Sequence, residues 1–131
     1  MKYTNNAIFT KMRQIVLAER PDVHCTQTYA PTPTKWPTVF AREIGRYTPR
    51  TTQTFRNTQD ISERTWEVQI FSNLQTGAKE EAYELLDLVK SAFREMYFLE
   101  YSETPVDSAN NTYYILVARF RRIIGSGEEM N

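Results

Sequence analysis

The strongest constraint in this chain is an apolar stripe of helical period, Ala78, Ala82, Leu85, Leu86, Val89, Phe93 and Met96, which predicts an amphipathic helix over Ala78 to Met96. The stripe cannot face water, so the helix must lie on a surface that the rest of the chain supplies. Directly upstream, Thr65 to Asn73 alternates. Trp66, Val68 and Ile70 point one way while Glu67, Gln69, Phe71 and Asn73 point the other, the pattern of a half-buried strand. A strand leading into a strongly amphipathic helix requires further strands beside it.

The remaining runs supply them. Ile8, Met12 and Ile15, with Phe9 and Val16, mark a first helix from about Asn6 to Glu19, stopped at Arg20-Pro21. Val23 to Tyr29 and Thr38 to Ala41, running toward Gly45, read as two strands joined by a loop stiffened by Pro31, Pro33 and Pro37. Tyr97 to Tyr101 reads as a short strand, the stretch from Thr104 to Asn111 carries turn chemistry, and Thr112 to Ile124 closes an antiparallel hairpin. Residues 46–64, rich in threonine, glutamine and asparagine, form an exposed excursion, a loop or a protruding hairpin. Gly125 to Asn131 is a polar tail. The expected fold is α+β: one domain of 131 residues, a mostly antiparallel four- to five-stranded sheet flanked by two main helices.

The last strand is apolar on both sides. Tyr114, Leu116, Ala118 and Phe120 make one face; Tyr113, Ile115 and Val117, followed by Arg119 and Arg121, make the other. Helices on one side of a sheet cover the first set only. The second set needs its own cover, either the first helix or another subunit.

Sixteen basic residues balance sixteen acidic ones, so no long-range field marks the whole domain for nucleic acid or anionic lipid. With Cys25 as the single cysteine, an internal disulfide is excluded and cytosolic folding is expected; no stretch reaches the roughly 18 apolar residues of a membrane span. His24 and Cys25 are neighbours, and on a strand their side chains project to opposite faces, so they cannot form an activated thiol pair. One histidine and one cysteine do not build a structural zinc site. Glu80, Glu84 and Asp87 oppose the apolar stripe as a solvated face, with Asp87 and Lys90 spaced for a weak pair, or meet basic groups of a neighbouring subunit. Gly45, Gly77, Gly125 and Gly127 match neither phosphate-binding nor dinucleotide-binding spacing. No catalytic, cofactor or metal residues are therefore expected. Arg119, Arg121 and Arg122 beside Tyr113 and Phe120 leave an alternative, a small nucleic-acid-binding module using the last strand. An enzyme whose site is completed across subunits is a third.

The order of elements is an N-terminal helix, strands, a long polar excursion, the strand Trp66-Glu67-Val68-Gln69-Ile70-Phe71, the helix opening at Gly77-Ala78-Lys79-Glu80-Glu81-Ala82, and a hairpin ending Tyr113 to Phe120. Over nearly the whole chain this order resembles the tail terminator (tail completion, minor capsid) proteins of tailed bacteriophages. The resemblance implies a structural virion protein rather than an enzyme. It would form a ring, usually hexameric, at the head–tail junction, made in the host cytoplasm, capping the tail tube and joining it to the head. Its implied partners are further copies of itself, the tail tube protein and the head connector proteins, with DNA passing through the lumen without specific binding and no membrane or cofactor involved. Candidate subunit or partner contacts are Phe55 and Arg56 in the excursion, and Phe71, Tyr113, Ile115, Val117, Arg119 and Arg121 on the second strand face.

Overall fold

In a computed structural model, which describes residues 3–30, 33–47, 61–106 and 112–125, both helices lie against one side of a single sheet. The chain runs α1 (Asn5–Glu19), β1 (His24–Thr26), β2 (Thr38–Tyr47), β3 (Ile61–Ser72), α2 (Ala78–Glu95), β4 (Leu99–Val106) and β5 (Tyr114–Gly125). The sheet order is β1-β2-β3-β5-β4; β1 pairs parallel with β2, and every other pairing is antiparallel. The fold is thus α+β, with a mixed and mostly antiparallel sheet.

Helix α1 begins where the Thr4 hydroxyl accepts a hydrogen bond from the Ala7 amide (3.1 Å), satisfying one of the free donors of the first turn. Its buried face, Ile8, Met12 and Val16, meets that of α2, Leu85, Leu86, Val89 and Phe93, above Val39, Ala41, Trp66, Val68, Ile70, Leu116 and Ala118 of the sheet. Phe93 stands at the centre, stacked on Phe120 at 4.5 Å and edge-on to Phe98 at 5.2 Å. These are the residues whose periodicity marks them as core.

Four expectations need correction. The first predicted strand is only His24–Thr26, because residues 27–30 and 33–37 leave the sheet edge and lie over its other side. The excursion is shorter than residues 46–64: Arg46 and Tyr47 pair with Arg64 and Glu63, so the strand ladder continues well past Gly45. Arg64 is buried, its guanidinium donating to Glu43 (2.6 and 3.0 Å), to the Tyr3 carbonyl (2.7 Å) and to Asn5 (2.9 Å). Four acceptor contacts satisfy a charge that composition alone places in solvent. Residues 48–60, including Phe55 and Arg56, lie outside the described residues. The turn expected from Thr104 instead begins as strand, since β4 runs to Val106. Finally, α1 does not cover the second face of β5; it packs on α2 and on the same side of the sheet.

Candidate interface on the open sheet face

The side of the sheet away from the helices is built from residues that strand alternation turns outward, and the register sets them in rows across four strands. One row is Arg42, Glu67, Arg119 and Ser102; the next is Phe40, Gln69, Val117 and Thr104; the third is Thr38, Phe71, Ile115 and Val106. The third row lies under an aromatic layer: Tyr29 packs on Phe40 at 5.6 Å, Trp36 on Tyr113 at 5.2 Å, and Tyr113 on Phe71 at 6.2 Å. Phe40 and Phe71 are buried by this layer. Beyond it the face opens into a concavity of about 500 Å³, with Ile115, Val117 and Val106 on its floor and Glu67, Gln69 and Arg119 along one side.

Glu67 organises the polar side. Gln69 donates to it at 2.9 Å, Arg119 reaches it with two nitrogens at 3.0 Å, and Arg42 stands at 3.5 Å. Burial raises its proton affinity, but these donors outweigh burial and hold the carboxyl below its ordinary range. Such a carboxylate stays ionised at neutral pH with its lone pairs occupied, which suits it to fixing two arginines and not to accepting a substrate proton. Farther along, the Arg121 guanidinium lies over the Tyr101 ring at 5.1 Å.

The contacts expected from the sequence separate accordingly. Phe71, Ile115, Val117 and Arg119 come together at the concavity, with Phe71 buried and the others partly exposed, and Tyr113 joins through the aromatic layer. Arg121 sits on the same face one row beyond Arg119. The structure adds Arg42, Glu67 and Gln69, which sequence reasoning missed as contacts although alternation with Val39, Ala41, Trp66 and Val68 already turns them outward. Ser102, Thr104 and Val106 are hidden in the sequence because Thr104-Pro105 reads as a turn. The residues of the nucleic-acid alternative divide between the two sides of the sheet, with Arg119, Arg121 and Tyr113 toward the open one. Phe120 is stacked inside the core, Arg122 donates to the Met96 carbonyl on the helix side, and Arg119 is held by Glu67.

His24 and Cys25 project to opposite sides of β1: His24 faces the outer side, Cys25 packs against the core, and burial pushes the thiol up to about 11. At neutral pH it is a thiol, not a nucleophilic thiolate. Glu80, Glu84 and Asp87 are exposed as expected, but Lys90 reaches across to β4, pairing with Glu103 at 2.8 Å and Glu100 at 3.5 Å rather than serving Asp87. Among the described residues no group of three histidine, cysteine or acidic side chains is placed to hold a metal, and no helix is long and apolar enough to cross a membrane.

What the described residues define is a class: an α+β fold with both helices on one side of a mixed five-stranded sheet and the other side half open among those residues. The chain matches no family model and no curated protein sequence.

Proposed function

We propose that this chain is a structural subunit that assembles with itself into a ring at the head–tail junction of a tailed bacteriophage, capping the tail tube and joining it to the head. The observation that carries the reading is the open sheet face: Ile115, Val117 and Val106 remain on the surface of a chain whose two helices are both spent on the other side. Contiguous apolar surface edged by polar groups marks a site of association. The charges around it support the same reading, because Glu67, Arg42 and Arg119 are locked in a fixed array that sets docking register rather than chemistry. The resemblance in element order supplies the setting: a hexameric ring, tail tube and head connector proteins as partners, DNA passing through the lumen, and residence in the virion.

The test is to mix purified protein with tailed-phage tubes lacking their terminal ring and to image them. The expected result is a ring at one end of each tube, and tubes that then accept filled heads. Rings that form but bind no tube would leave self-assembly standing and remove the head–tail assignment.

A further inference from the structure

Among the described residues, the sheet ends in two edges with no strand beside them. On one side β1 covers only Thr38, Val39 and Phe40 of β2, so residues 41–47 present an open edge. On the other side β4 pairs with β5 alone. Pro105 has no N–H to donate, which leaves residues 99–104 as the usable length there. An unpaired edge offers a row of backbone donors and acceptors to another strand, and large apolar side chains along it invite that pairing. Here Ile44 on β2 is 40% exposed, and Leu99 and Tyr101 on β4 are 65% and 42% exposed.

Each edge also carries an unbalanced charge cluster. On β2 the Glu43 carboxylate serves two guanidiniums, that of Arg64 at 2.6 Å and that of the half-exposed Arg46 at 3.0 Å. On β4 the relation is reversed: one ammonium, Lys90 of α2, serves two carboxylates, Glu103 at 2.8 Å and Glu100 at 3.5 Å. One buried oxygen of Glu100 has no hydrogen-bond donor among the described residues. The β2 cluster is left with a positive excess and the β4 cluster with a negative one. Both lie on the helix side of the sheet, since Arg46 also donates to Asn5 of α1 (3.2 Å) and Lys90 belongs to α2.

Strand direction selects the same match. β3 is antiparallel to β2 and to β5, and β4 is antiparallel to β5, so β4 runs opposite to β2. A sheet that continues from one copy into the next therefore sets β4 antiparallel to β2, with both charge clusters on one side. Pairing β4 with another β4 would instead bring Glu100 and Glu103 against their own kind, and pairing β2 with β2 would do the same to Arg42 and Arg46. Like charges facing each other across a strand pair are destabilising, so the two edges reject themselves and accept each other. We infer that residues 99–104 of β4 in one copy pair antiparallel with residues 41–47 of β2 in the next, placing Arg46 between its own Glu43 and the neighbouring copy's Glu100 and Glu103. The inference rests on the reading that the chain assembles with itself, and names the joint. Because the two edges differ, the joint is heterologous and repeats until a ring closes.

Charge reversal tests it. Arg46→Glu makes the β2 edge repel a native β4, and Glu100→Arg makes the β4 edge repel a native β2. The wild-type chain is expected to assemble, and each variant alone to associate at least tenfold more weakly while keeping the circular dichroism spectrum of the folded chain. An equal mixture of the two is expected to recover assembly with the copies alternating, because each supplies the edge that the other lacks. The double variant in one chain is expected to recover it as well. In the wild-type chain, assembly is expected to slow hydrogen exchange in residues 41–47 and 99–104 at least tenfold. That measurement decides the matter even where a variant fails to fold. Single variants that assemble like wild type, a folded mixture that recovers nothing, or edge amides whose exchange is unchanged by assembly would each overturn the joint. Rings that persist in Arg46→Glu and still cap tubes overturn the joint but leave the proposed function intact. Edge-paired assemblies that never bind a tube do the reverse.

Discussion

Arg64 and Glu43 face the helix side of neighbouring strands near the start of α1, both side chains less than a tenth exposed, and together they tie β2 and β3 to the Tyr3 carbonyl and the Asn5 side chain. Two charges removed from water are stabilising only while each has the other, and breaking such a pair from one side costs about 3–5 kcal/mol. Arg64→Ala is accordingly expected to lower unfolding free energy by about that amount in a urea titration, with the start of α1 losing amide protection first. For Glu43, burial raises proton affinity, but the hydrogen bonds and charges of Arg64 and Arg46 prevail and its carboxyl titrates below the ordinary range, as that of Glu67 does. A carboxylate with a lowered folded-state pKa contributes stability that is complete above the unfolded value and lost as pH falls through the folded one. The urea midpoint is therefore expected to hold steady near neutrality and to fall below about pH 4.5, the ordinary carboxylate range. Glu43→Gln should start lower and show a shallower acid slope; an unchanged slope would assign the acid sensitivity to other groups.

At the scale of elements, what can be read from the sequence follows from periodicity. The α2 stripe and the Trp66, Val68 and Ile70 alternation locate a helix and a strand to within a residue or so at most ends, because burial on one side imposes a period that survives in the residue order. Strand ends are harder. The ladder from Gly45 to Tyr47 and from Ile61 to Thr65 is held by backbone bonds and by Arg64, whose burial depends on Glu43 twenty-one positions away and leaves no local signature. The full length of β4 is masked because proline reads as turn; Pro105 is tolerated since β4 is an edge strand. The sidedness of α1 is hidden for the same reason: its stripe tells that it packs, not which side of the sheet it takes. Of the interface, the outward set on β5 is legible, whereas Arg42, Glu67 and Gln69 become neighbours of it only through the β2-β3-β5 register. Because Tyr47 and Glu63 are already paired, deleting Thr51 to Thr58 is expected to leave the thermal midpoint within a few degrees of wild type while impairing assembly or docking. Loss of cooperative unfolding in that deletion would place the segment in the core.

At the scale of the whole molecule, the described residues close one side of the sheet with helices and the other only in part with a chain segment, leaving apolar rows at its surface. Val117 stands in the middle of them, between Gln69 and Thr104. Val117→Asp is expected to keep the circular dichroism spectrum of the folded chain and to abolish assembly, since an unpaired carboxylate buried between subunits is unfavourable by several kcal/mol. A Val117→Asp chain that folds and assembles fully would show that this row stays in water. The central claim, self-assembly through the open face, is tested most directly by native mass spectrometry of the wild-type chain across concentration and salt, with electron microscopy of whatever forms. The account predicts a single closed oligomer, a hexameric ring, that persists at high salt because apolar rows hold it and charges only set its register. A chain that remains monomeric at every concentration, or that falls apart as salt rises, would contradict it.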